Sequence, residues 1–335
     1  MPFGSFGYDS SMDLPAEAQI RWLLRRTAAL LQLGAEPVRG LVLPTGDFFP
    51  DTFDGTPPSL AALMRRVQAH AGLADLAVEL AVVSPEGEAQ TVSCSSGACG
   101  GGGKFDVSLD RVRVTEDGGY QVTIAAGEVK NPTVLTTALV RAVAFMFLNE
   151  AGGYDELPPQ DREPVTDLAA VLLGFGVLAA NGSYIYMKGC GGVNVHSATR
   201  MPADEIGLAL GLFCQLHGIP ERVAAKHLEL TPREHFEEGA VWSASNASTV
   251  KLLRSAPERI EKDLYTLSPA RSWLARALGM GAKKKEQGPE DEMAAFERAL
   301  VEKRGAAKKP VDPEKAKRLA ELRALVDESL DGAAR

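Results

Sequence analysis

Apolar residues recur at helical spacing over residues 14–33 (LPAEAQIRWLLRRTAALLQL), with Ile20, Leu23, Leu24, Leu30 and Leu31 on a shared side. This predicts an opening helix, with Gly34 placed to cap it. The next stretch, LVLPTGDFFPDTFDGTPP, is dense in Pro, Gly, Asp and Phe. It reads as a short strand at Leu41–Leu43 followed by an ordered loop. Helical spacing returns at 58–71 through Leu60, Leu63, Met64 and Val67, with Ser59 as the expected N-cap.

The period then changes. LAVELAVV (76–83), FDVSLDRVRVT (105–115) and YQVTIAA, the last after the turn Asp117-Gly118-Gly119, alternate as strands do. Three or four antiparallel strands are expected, with CSSGACGGGG as a Gly-rich loop between them. Asn131-Pro132 opens a helix that is apolar almost throughout (TVLTTALVRAVAFMFLNEAGG), and a second runs from Glu163 to Ser183 (EPVTDLAAVLLGFGVLAANGS). A Gly-rich excursion (187–199) precedes a helix at 201–218 and two short helices, IPERVAAKHLEL and TPREHFEEGAVWSASN. From Pro257 the pattern turns polar. Residues 281–292 read as a linker and 290–304 and 313–330 as charged helices, the last carrying Leu319, Leu322, Val326 and Leu330 along one stripe.

Composition narrows the classes. Over 335 residues the hydrophobic share is 45%, enough for a sizeable core, and net charge is −8. Residues 281–335 carry 13 Lys/Arg against 12 Asp/Glu, which leaves −9 on residues 1–280. An acidic body argues against general nucleic-acid binding. MPFGSFGYDSSMD has no basic segment ahead of an apolar run, so no secretory signal is expected. The stretch Leu168–Ala180 is too short and Gly-interrupted for a membrane span. Four cysteines do not make a disulfide scaffold. A cytoplasmic protein is expected, without nucleic acid, membrane or cofactor.

Chemical motifs are sparse. Cys94 and Cys99 lie in CSSGAC and Cys190 in KGCGG, a spacing unlike the tight C-x₂-C pairs of zinc knuckles, so free thiols are the simpler reading and a metal or redox site the alternative. Cys214 and His217 are i, i+3 on one helix, while His227 and His235 lie eight apart without an acidic companion at ligand spacing. CGGGG is not followed by GK[ST], so no phosphate loop is present. Ser183 and Ser243 have no visible base.

On periodicity alone, AVAFMFL and LAAVLLGFGVLAA describe buried core helices. LPTGDFFPDTFDGTP (43–57), the RAVAF frame at 141–145 and TDLAAVLLGFGVLAANGS (166–183) add a resemblance. Over roughly residues 38–245 the chain resembles a family of bacterial proteins built as zinc metallopeptidases of the minimal gluzincin type. The resemblance implies a zincin-like core in which HExxH would occupy the frame now held by Arg141, Ala142 and Phe145. It aligns Glu163 and Asp167 with the acidic positions of the next helix. Arginine cannot coordinate zinc, alanine cannot activate water, and phenylalanine offers no lone pair. A carboxylate left in a dry cleft needs a cation, and Arg141 is the only charged residue between Lys130 and Glu150. Arg141 is therefore expected to pair with Glu163 or Asp167.

The resulting expectation is an α+β fold: a small antiparallel sheet packed on a helical zincin-like core. Residues 1–37 would be lead-in, 38–256 the degenerate core, and 257–335 linker and helices. The expected function is a noncatalytic scaffold or binding module that uses the old substrate cleft or meets a protein partner through its C-terminal helices. The alternatives are a hydrolase using Glu163 and Asp167 with a loop Cys or His, and a small metal- or redox-binding protein using Cys94, Cys99 and Cys190.

Overall fold

A computed structural model describes residues 14–83, 108–189 and 192–268. All of them fall within one compact unit, Ser11–Met280. The cysteines Cys94, Cys99 and Cys190, the linker and the C-terminal stripe Leu319–Leu330 lie outside the described residues.

The fold is α+β. Helices α1 (Glu17–Gln32) and α2 (Pro57–Ala71) precede a three-stranded sheet of β1 (Val78–Val83), β2 (Val112–Val114) and β3 (Tyr120–Ala125). Then come α3 (Ala126–Val129), α4 (Pro132–Glu150), α5 (Pro159–Ala170), α6 (Gly176–Ser183) and a hairpin, β4 (Ile185–Gly189) and β5 (Gly192–His196). The described chain ends in α7 (Ala203–His217), α8 (Glu221–Ala225), α9 (Leu230–Ser245), α10 (Ala247–Ser255) and α11 (Pro257–Glu261).

Several expectations need correction. The first sheet is mixed, with order β1-β3-β2: β1 pairs with β3 in parallel and β2 with β3 antiparallel. Alternation marks a strand but carries no information about the direction of its partner. Leu41–Leu43 is irregular chain; Val42 N–H donates instead to the Gly174 carbonyl at 2.9 Å. Thr56, not Ser59, is the N-cap of α2, because Pro57 takes the first helical position. The excursion after α6 is a regular antiparallel hairpin with Ile185 opposite His196.

Helix α4 is apolar on all sides and sits at the centre, against α2, α3, α5, α6 and β3. Asn131 starts it, its Oδ1 accepting the Val134 N–H at 3.3 Å. The apolar run from Pro159 to Ser183 is one helix by sequence but two by geometry. At Gly174 φ is +98°, and α5 gives way to α6 through a widened turn at Val171–Phe175. A Cβ on Gly174 would stand 2.3 Å from the Gly40 carbonyl, so only glycine lets loop 37–43 approach there. The spans Pro132–Glu150 and Pro159–Ser183 are long and apolar enough to cross a membrane, contrary to the expectation for Leu168–Ala180, but 72% and 94% of their windows are buried. Core helices of a soluble protein have that property.

Helices α7 and α9 meet backbone to backbone. A Cβ on Gly211 would lie 2.6 Å from the Gly239 carbonyl carbon, and one on Gly239 2.6 Å from Leu208 Cα. Large side chains elsewhere on the pair (Leu208, Leu212, Phe213, Phe236, Trp242) are buried.

Candidate functional site

The RAVAF frame lies in the middle of α4. Ala142 is 1% exposed and Phe145 7% exposed, both within the main core. The Phe145 ring meets Tyr154 edge-on at 4.7 Å and Tyr120 at 6.4 Å. Burial is the main cause that pushes the Tyr120 hydroxyl up to about 12. It donates to Glu150 Oε1 at 2.5 Å and accepts from Asn149 Nδ2 at 2.8 Å. Two of the three positions that the resemblance assigns to HExxH are thus filled with packing.

Arg141 makes the pair expected of it, with both carboxylates at once. Its Nε donates to Asp167 Oδ1 at 2.5 Å and its Nη2 to Glu163 Oε2 at 2.6 Å. Glu163 and Asp167 are one turn apart on α5, so both face α4. The side chains of Arg141 and Asp167 are 4% and 0% exposed, and Glu163 is 25% exposed. Asp167 Oδ2 accepts the backbone N–H groups of Arg200 at 2.6 Å and Met201 at 2.9 Å. Glu163 Oε1 accepts the Leu109 N–H at 3.1 Å.

Burial pulls opposite ways on this pair. It opposes the Arg141 charge, but the Asp167 and Glu163 carboxylates outweigh it and hold the guanidinium above its ordinary value. For Asp167 burial dominates and raises the carboxyl, opposed by Arg141 and the two N–H donors. Arginine stays charged at any accessible pH, so a charged Arg141 faces two carboxylates.

Zinc does not fit this arrangement. A permanent cation already fills the space between the two acidic groups. Among the described residues, no group of three His, Cys, Asp or Glu could hold a metal ion.

The remaining sequence candidates are apart from this network. Burial pushes the Cys214 thiol up to about 12, which makes it unreactive. His217 stacks near Phe213 and stands 3.3 Å from Arg254 Nη2. The His227 carbonyl accepts from Asn181 Nδ2. Ser183 Oγ donates to the Ala180 carbonyl and Ser243 Oγ to that of Gly239, so both hydroxyls serve the backbone.

The residues that carry the resemblance in 166–183 have structural duties. Thr166 Oγ1 donates to the Arg162 carbonyl, Asp167 gathers Arg141 and the 200–201 turn, and Gly174 admits loop 37–43. Asn181 binds the 227–229 segment from both ends of its amide, donating to His227 O and accepting the Glu229 N–H, each at 2.9 Å.

Sequence reasoning did not reach a second buried pair. Arg111 Nη2 donates to Glu128 Oε1 at 2.8 Å and Oε2 at 2.9 Å, with side chains 8% and 4% exposed, and Glu128 Oε2 also accepts the Ala125 N–H. The available signal was an acidic residue three positions after the alternating strand YQVTIA.

No protein-family model matches the chain. No curated protein and no solved structure matches it at a significant level. The likeness to zinc metallopeptidases therefore rests on the quoted residues alone.

Proposed function

We propose that this chain is a noncatalytic, metallopeptidase-like protein acting in the cytoplasm as a binding or scaffold module. The observation that carries the reading is the state of Asp167. Its carboxylate is inaccessible, and both oxygens are engaged by Arg141 and by two backbone N–H groups. A group so occupied cannot act as a base or a metal ligand without dismantling the core around it. Glu163, the other acid of an altered hydrolase, also has both oxygens engaged, by Leu109 N–H and Arg141. In this reading Arg141 stands where a dication would have joined the two helices, and the scaffold is retained for its shape.

Elemental analysis of the purified full chain after mild dialysis, with turnover of a broad peptide library, tests the proposal. The expected result is no stoichiometric zinc and no turnover above background. About one zinc per chain that is lost in Asp167→Ala, or hydrolysis that is lost in Glu163→Gln, would overturn it.

A further inference from the structure

A groove of about 350 Å³ opens beside the buried network, walled by three helical faces. Gln19 and Trp22 come from α1, Gln160 and Asp161 from α5, and Arg200 and Glu205 from the start of α7 and the turn before it. Asp167 fixes that turn through the Arg200 and Met201 N–H groups, so the Arg141 network positions one wall.

The charges in the groove do not cancel. Asp161 is bridged by Arg26, and Arg200 Nε lies 3.6 Å from Glu163 Oε2. Glu205 has no cation beside it among the described residues. Burial pushes its carboxyl up, Asp204 adds to this, and a hydrogen bond with Gln19 opposes it. Glu205 is the third residue of α7, where a glutamate usually reaches back to the N-cap N–H. The N-cap is Pro202, which has no N–H, so the carboxylate is not spent that way. Pro164 inside α5 likewise has no N–H, which deprives the Gln160 carbonyl of its intrahelical donor. Trp22 adds an aromatic surface. The groove therefore offers acceptors and a π-face around one uncompensated negative charge.

We infer that this groove binds a small organic cation with N–H donors, an alkylammonium or guanidinium compound, seated between Glu205 and Trp22. The ammonium or guanidinium supplies the charge that Glu205 lacks and donates to it and to the Gln160 carbonyl, while the cation lies against the indole. Arg200, exposed at the rim, is a cation and repels a cationic ligand, so its removal should help binding. The inference rests on reading the protein as a binding module, and it names what the module binds.

Calorimetric titration of the full chain with putrescine and agmatine, with tetramethylammonium and acetate as controls, tests it. Putrescine or agmatine should bind, tetramethylammonium more weakly, and acetate not at all. Glu205→Gln should weaken binding about tenfold or more, the loss of a charge-assisted contact. Arg200→Gln, a rim substitution with little bearing on folding, should leave affinity unchanged or raise it. Absence of heat with both amines at millimolar concentration would overturn the inference. So would equal affinity in Glu205→Gln, or acetate binding that Arg200→Gln abolishes. Zinc content and peptide turnover are read separately, so failure here leaves the noncatalytic reading to its own test.

Discussion

Arg141 shows how one side chain can hold two helices that would otherwise present opposed needs. Removing one partner of a buried ion pair typically costs about 3–5 kcal/mol, against under about 1 kcal/mol for an exposed pair. Arg141→Ala and Asp167→Ala should each lower the unfolding free energy by an amount in the first range, read as a lower urea midpoint, and the double variant should fall short of the sum. An Arg141→Ala protein that unfolds at the wild-type midpoint would contradict the geometry. His70 makes a different prediction. It is 1% exposed on α2, its Nε2 donates to the Phe48 carbonyl at 2.9 Å, and its ring meets Phe48 and Phe49 edge-on. Its Nδ1 has no hydrogen-bond partner among the described residues. Burial lowers its pKa; the Phe48 carbonyl opposes this, and the Arg39 and Arg66 charges add to it. Burial also lowers His217 and His235. A lowered histidine favours the folded state above the unfolded pKa of about 6.5, and that contribution is lost as pH falls below it. Stability should therefore drop between pH 7 and pH 5, by up to about 1.4 kcal/mol per pH unit for each histidine. His70→Gln, which keeps a donor for Phe48, should flatten the slope; an unchanged slope would absolve His70.

At the scale of elements, the break between α5 and α6 is the most constrained feature. Gly174→Ala would put a non-glycine residue at φ +98° and drive its Cβ into the Gly40 carbonyl. Strain and overpacking together should cost about 2–5 kcal/mol. Gly127→Ala, a helical glycine with nothing within 4 Å, is the matched control and should be near neutral. Equal midpoints for the two would mean the chain can close around Gly174 in another way. The helices themselves were legible in the sequence because their apolar spacing is strong. Arg141 was legible because a lone charge in an apolar helix needs a partner, and Glu163 and Asp167 were the acids within reach. The break at Gly174 was not, since a glycine in a continuous apolar run leaves the sign of φ undetermined. The 200–201 turn on Asp167 was equally hidden, because the donors are backbone N–H groups that any sequence supplies. The hairpin of β4 and β5 was masked by glycines that read as loop.

The described body is closed by its own ends. Helix α1 packs with α10 and α11, and Arg25 Nη1 reaches Asp263 at 3.0 Å across 238 positions of chain. Arg254 meets Glu36, and Asn246 accepts the Ser268 N–H at 2.7 Å. Truncation after Met280 keeps all of these and should leave cooperative unfolding with nearly the same midpoint. Truncation after Ser245 removes α10 and α11 and should abolish it. Loss of cooperativity in the longer fragment would mean that residues beyond 280 complete the body. The same closure bears on synthesis. Ile20, Leu23, Leu24 and Leu30 leave the ribosome ahead of the rest of the described body, yet some of the helices that cover them are made more than 200 residues later. At roughly 5–20 residues per second the nascent α1 waits about ten seconds or more with its apolar face uncovered. For that interval it is a natural target for chaperones, and the last helices of the body set the moment at which the newborn chain can leave them.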